Sequence, residues 1–179
     1  MKNKIVTPVL AIVVAAAVLL GGKAVLSGTA EKNVEIARNK MMSAVLPGSI
    51  SFVPEEYDAL EHTTIKSVYK AETGYVIEST AYGYNGDVML MVGVSNEGKV
   101  TGLVVEDMKE TRGLGSRALT DVPFLAQYLL TEGDAEVGTN VDALTGATVS
   151  SKAVTKAVNS AVAYVTGADT SSSATEWGG

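Results

Sequence analysis

The hydrophobic pattern of the chain changes character several times. Residues 5–26 are almost continuous Val, Ala, Leu and Ile, broken by Thr7-Pro8, Gly21-Gly22 and Lys23, with Lys2 and Lys4 before them. Such a run is just long enough to span a bilayer, and Lys23 can snorkel to the interface. A secretory signal peptide is the competing reading, with Gly28-Thr29-Ala30 as a passable cleavage site. Both place the body outside the cytoplasm, because the basic N-terminus stays inside. Residues 31–46 then predict a helix, with Val34, Met41, Met42 and Val45 apolar and Pro47-Gly48 as its stop. Residues 49–64 contain Pro54 and no clear period, and are expected to form a loop.

From residue 65 the period becomes two. Residues 65–71, 75–82, 88–94 and 99–106 carry β-branched and aromatic side chains in partial alternation. Glu72-Thr73-Gly74, Gly83-Tyr84-Asn85-Gly86 and Ser95-Asn96-Glu97-Gly98 supply tight reversals between them. Short loops between consecutive strands make antiparallel neighbours, so the pattern predicts a four-stranded meander. Residues 122–130 predict a short helix capped by Asp121, with Pro123 in its first turn and Phe124, Leu125 and Tyr128 packed on the sheet. Residues 133–140 are polar and turn-rich, and a short strand is expected around Val141. A longer helix follows, in which Val149, Val154, Val158, Ala161, Val162 and Val165 recur at helical spacing up to Thr166-Gly167. The fold class is therefore α+β. Its divisions are the apolar segment over 1–30, as membrane anchor or signal peptide, a folded domain over 31–167 and a flexible tail over 168–179 containing Trp177.

Charge and composition narrow the chemistry. The chain carries a formal net charge of −6, and from Glu31 onward it holds 11 basic against 20 acidic residues. Nothing here neutralises a row of phosphates, which argues against nucleic acid as a partner. The absence of cysteine excludes protein-bound iron–sulfur, disulfides, c-type haem attachment and a lipoprotein anchor. His62 is the only histidine and cannot make a zinc site by itself; it reads as a surface residue. With no histidine or cysteine in a suitable context, hydrolytic and thiol mechanisms have no candidate residues.

One stretch does carry chemistry. Asp142-Ala143-Leu144-Thr145-Gly146-Ala147-Thr148-Val149-Ser150-Ser151 runs directly into the long helix. The first N–H groups of a helix lack internal partners and the dipole's positive end points outward, which suits a phosphate. Ser150 and Ser151 are expected to add hydroxyl donors, and the small residues Gly146 and Ala147 to let a ligand approach the backbone. Thr148 also reads as an ordinary N-cap, and the two readings are compatible.

The string Asp142-x-x-Thr145-Gly146-Ala147-Thr148 resembles the flavinylation motif of the FMN-binding domain family. That family includes the G subunit of the Rnf complex and the C subunit of the Na⁺-translocating NADH:quinone oxidoreductase. The resemblance implies that Thr148 carries FMN through a phosphoester, placed by an ApbE-type flavin transferase. The transferase would read Asp142, Thr145, Gly146, Ala147 and Thr148. Gly83-Tyr84-Asn85-Gly86 resembles the family's Gly-Tyr-x-Gly turn, and Glu110-Thr111-Arg112-Gly113-Leu114-Gly115 its Glu-Thr-Pro-Gly-Leu-Gly loop, which lies against the flavin. By the same resemblance Thr145, Gly146, Ala147, Ser150, Glu110, Thr111, Gly113, Leu114, Gly115 and Tyr84 line the cofactor. Arg112 stands where proline is usual; contact with the flavin phosphate and contact with a partner protein both remain open for it.

The anchor, the Leu46-Pro47-Gly48 break, the meander and the motifs occur in family order, and the compact length is more similar to the Rnf G subunit. The implied role is a one-flavin electron relay in an ion-translocating ferredoxin:NAD⁺ oxidoreductase, held in the membrane lipid by a single pass beside other membrane subunits. Alternatives are a subunit of the related quinone oxidoreductase, a stand-alone extracytoplasmic flavin carrier, and a membrane-anchored accessory protein without flavin.

Overall fold

A computed structural model describes residues 33–108 and 121–168. The expected membrane anchor, the Glu110–Gly115 loop and the tail from residue 169 lie outside the described residues. Among the described residues, no helix is long and apolar enough to cross a membrane. The chain divides into two compact units, Met1–Lys40 and Met41–Gly179. Of the first, residues 33–40 are described; they are helical and mostly exposed, Val34 included.

This helix, α1 (residues 33–45), ends in the second unit. There Met42, Val45 and Leu46 are buried while Met41 is exposed, so the apolar face is narrower than the sequence pattern suggested. Gly48 follows at φ +90, a left-handed conformation of the kind that terminates helices.

The sheet has five strands in the order β1 (Val53–Glu55), β2 (Ile65–Lys70), β3 (Gly74–Tyr82), β4 (Asp87–Ser95) and β5 (Val100–Met108). Every neighbouring pair is antiparallel. The four-stranded meander is present as expected, and the α+β class holds. β1 is an addition inside the segment read as a loop. Three residues are too few to show a period, and Pro54 looked like a breaker. On an edge strand, however, a missing N–H costs no ladder bond.

The sheet is buried on both faces. Val76 and Met91 pack against Met42, Val45 and Leu46 in the smaller cluster. The Val45 carbonyl lies directly on the sheet, where the Thr101 hydroxyl donates to it at 2.6 Å. A Cβ at Gly93 or at Gly102, which pair with each other across β4 and β5, would collide with that carbonyl. The opposite face carries the larger core, in which Ile77, Ala81, Leu90 and Val92 pack with the two remaining helices.

Those helices are α2 (Val122–Ala126) and α3 (Thr148–Thr166). Asp121 caps α2, its carboxylate accepting from the Phe124 N–H at 3.0 Å. Phe124 and Tyr128 are buried and Leu125 partly so. α2 is shorter than expected. Residues 127–129 tighten into i→i+3 turns, and the Leu130 N–H and Thr131 carbonyl pair with Val100 at 2.8 and 3.0 Å. Pairing with β5 pulls the chain out of the helix, leaving Leu130 at φ +67. Around Val141 there is only an isolated bridge to Val137, not a strand. The Asn140 side chain accepts from the Glu136 N–H and donates to the Asp134 carbonyl, taking backbone partners that a ladder would need. His62 is half-buried, its ring edge-on to Tyr164 at 5.0 Å.

α3 lies along β3 and β4. The buried Ser79 hydroxyl donates to the Ala157 carbonyl at 2.8 Å, which fixes the middle of the helix to the middle of the sheet. Gly98, in the β4–β5 turn, fits against the Thr166 side chain, which fixes the helix's C-terminal end. A 19-residue helix and a nine-residue strand both rise about 27 Å. The start of α3 therefore emerges at the end of the sheet that carries the 83–86 turn.

Replacing Gly93 with alanine should destabilise the chain by about 1–3 kcal/mol or more, through displacement of the Val45 backbone. Gly102→Ala should do less, since its Cβ would have more room. Denaturant midpoints of the two variants against wild type check the order; equal midpoints for all three would refute the close approach.

Candidate functional site

The motif stretch folds into a hydrogen-bonded turn followed immediately by the helix. The Ala147 N–H donates to the Leu144 carbonyl at 2.9 Å, closing the four-residue turn 144–147. Gly146 sits at φ +76 in its third position, the value a type II turn requires and a reason for glycine there. Ser151 braces the turn from the helix. Its hydroxyl donates to the Ala147 carbonyl at 2.9 Å and accepts from the Leu144 N–H at 3.0 Å.

This arrangement revises several expectations. The N-cap is Ala147, which has no capping side chain, so Thr148 is the first helical residue rather than the cap. Ser151 is buried with its hydroxyl committed to the turn, and Ser150 is buried as well, so neither stands among the outward donors. Ala147 is also buried, whereas Thr145, Gly146 and Thr148 are exposed. Among the described residues, no side-chain hydrogen bond engages Thr148. Its hydroxyl thus stands in solvent at the positive end of a 19-residue helix. Lys152 and Lys156, four and eight residues on, are exposed too.

Two other regions meet this end of the sheet. The 83–86 turn, closed by the Gly83 N–H on the Gly86 carbonyl at 2.8 Å, presents an exposed Tyr84. Val88 pairs with Met108, so the chain leaves β5 beside that turn. Glu110, Thr111, Gly113, Leu114 and Gly115 follow that exit and lie outside the described residues. The chain returns at Asp121 to form α2.

The sequence reading missed how α2 holds the motif. The Gln127 side chain accepts from the Asp142 N–H at 2.7 Å and donates to the Asp142 carbonyl at 3.3 Å. Next to it, the buried Tyr128 hydroxyl lies 2.8 Å from the Thr155 hydroxyl. Thr155 already donates to the Ser151 carbonyl at 3.0 Å, so the phenol is the donor of this pair. No periodicity could announce either link, because each joins residues distant in sequence.

Residues 83–163, from the Tyr84 turn through most of α3, match the FMN-binding domain. The resemblance to the FMN-binding domain family therefore stands. The chain is 38% identical over 113 residues to the G subunit of the proton-translocating ferredoxin:NAD(+) oxidoreductase complex of Clostridium ljungdahlii, covering 56% of this chain and 60% of that protein. It is 40% identical over 97 residues to the G subunit of the ion-translocating oxidoreductase complex of Methanosarcina acetivorans, covering 51% of each. It is 33% identical over 98 residues to the G subunit of the Na(+)-translocating ferredoxin:NAD(+) oxidoreductase complex of Acetobacterium woodii, covering 50% of this chain and 47% of that protein. The matches thus span about half to three-fifths of these relatives. All three are named as subunits of oxidoreductase complexes, which supports a redox role at that level.

Burial pushes the Tyr128 phenol up to about 12. The folded state thus keeps a proton that the unfolded chain releases near pH 10. The stabilisation is complete below pH 10 and is lost as pH rises through about 12, at roughly 1.4 kcal/mol per pH unit. Tyr128→Phe should flatten this alkaline loss while costing about 1 kcal/mol at neutral pH. Denaturant melts of both proteins at pH 8 and pH 11 measure it; parallel losses would show that Tyr128 does not titrate in this window.

Proposed function

We propose that this chain is a flavin-bearing electron-transfer subunit of an Rnf-type ion-translocating complex, with FMN esterified to Thr148. The observation that carries the reading is the exposed, unengaged Thr148 hydroxyl at the first helical position of the matched FMN-binding domain. The residues present fit a phosphate there. The N–H groups of the first helical turn lack internal acceptors, and Gly146 leaves the turn open beside them. Lys152, one turn on, adds positive charge at the reach of an i, i+4 neighbour.

In the loading reaction the Thr148 oxygen forms a bond to the flavin phosphorus. The bond from that phosphorus to the leaving mononucleotide of a flavin dinucleotide breaks, and the hydroxyl proton passes to a base on an ApbE-type transferase. Asp142, Thr145 and Gly146 form the surface that the transferase reads, and the buried Ala147 shapes the turn that presents it. The bound flavin then supplies electron transfer, while the protein orients and tunes it. Tyr84, Glu110, Thr111, Gly113, Leu114 and Gly115 would line the flavin, as the family resemblance implies. Ser150, whose side chain is buried, would contribute its backbone N–H as one of the free donors of the first helical turn. The apolar run before residue 31 anchors the domain on the outer side of the cell membrane, beside the other membrane subunits.

Thr148→Val should abolish covalent flavin and Thr148→Ser should keep it. Stability should change by no more than about 0.5 kcal/mol, because the hydroxyl caps nothing. In-gel fluorescence and peptide mass after co-expression with a flavin transferase provide the readout. Full loading of Thr148→Val would overturn the assignment, and an unmodified wild-type chain would favour an accessory protein without flavin.

A further inference from the structure

We infer that Gln127 is a positioning residue for flavin loading: its side-chain amide holds the backbone of Asp142 and so aims the first residue of the loading motif. The inference rests on the proposed loading of Thr148. Gln127 contacts both polar groups of one residue's backbone, accepting from its N–H at 2.7 Å and donating to its carbonyl at 3.3 Å. A neighbouring strand makes the same exchange, and among side chains only a carboxamide offers a donor and an acceptor side by side. The orientation of the amide is fixed by this pairing, since the reverse would set donor against donor.

Gln127 is itself well placed to act as a fixed point. It is the C-cap of α2, and its neighbour Tyr128 is fully buried and tied to Thr155 in α3. Asp142, in contrast, is exposed, and among the described residues its carboxylate engages no partner. With no partner of its own, that carboxylate is placed only through the backbone that carries it, and Gln127 holds both polar groups of that backbone. The turn that presents Thr148 is held separately, by Ser151 on Leu144 and Ala147. Recognition and presentation are thus fixed by different side chains, both acting from α2 or α3 rather than from the turn between them.

The separation defines the test. With the full chain, a flavin transferase and a flavin dinucleotide, Gln127→Ala should raise the KM for this protein about tenfold and leave kcat near wild type. Gln127→Glu keeps the shape and the acceptor but loses the donor when ionised, and should raise KM at least as far. On the unloaded full chain, hydrogen exchange at the Asp142 amide should quicken about tenfold or more in Gln127→Ala, with exchange within α3 unchanged. Unaltered KM, or unaltered exchange at Asp142, would overturn the inference. So would a fall in kcat accompanied by faster exchange throughout α3, which would make Gln127 a general stabiliser. A wild-type chain that takes up no flavin would overturn the reading of Thr148 itself and this inference with it; the exchange experiment, which uses no flavin, keeps that failure distinct.

Discussion

One buried hydroxyl governs the placement of everything at the site. Ser79 lies in the middle of β3 with no solvent contact and donates to the Ala157 carbonyl halfway along α3. A serine on an otherwise apolar face has to find a partner, because leaving it unmade costs about 1–3 kcal/mol. Ala157 is the partner that the packing provides. That single bond sets the lengthwise position of the helix, and the close fit of Gly98 against Thr166 fixes the same position from one end. Slippage by a helical turn would break the first and open the second.

The two faces of the sheet solve different problems. On one, the Val45 carbonyl reaches the strands at Gly93 and Gly102, and the absent side chains are what permit it. Thr101 then supplies the hydrogen bond that a helix-terminal carbonyl needs. On the other, the hydroxyl links that join Tyr128, Thr155, Ser151 and the motif turn are buried among aliphatic residues, where they are shielded from water and hold their geometry closely. Tyr128, Thr155 and Ser151 form one such chain, each hydroxyl spent on a neighbour. Thr148, at the end of this series, is the hydroxyl that none of these neighbours claims.

Much of this was legible from the residues. Alternation and glycine-bearing reversals gave four strands within a residue or two of their ends, because a hairpin's register is local. The long helix was equally clear, since the spacing of its valines is local too. β1 was hidden, because its pairing with β2 depends on neighbours and not on its own three residues. The roles of Ser150 and Ser151 were misread for a similar reason. Their hydroxyls look available in a sequence, and only the packing of α3 shows which side of the helix they occupy. Thr148 stood out as the flavin-bearing candidate by resemblance and as a cap by spacing; of these, the turn's own geometry corrects the cap, making Ala147 the boundary residue. Gln127 left no trace in any pattern, since a glutamine near a helix end is ordinary.

The bond from Ser79 also fixes the rotational phase of α3. Nine residues separate Thr148 from Ala157, about two and a half turns at 3.6 residues each. A residue that far from the sheet-facing carbonyl comes round to the opposite side of the helix. Thr148, Lys152 and Lys156 accordingly form one solvent-facing line while Val154, Ala157, Val158 and Ala161 face inward. A single residue inserted between Thr148 and Ala157 would swing the threonine through about 100°, a shift that no loop could absorb. The distance in residues from hydroxyl to anchor point is therefore a fixed quantity of this chain, as binding as the identity of the threonine.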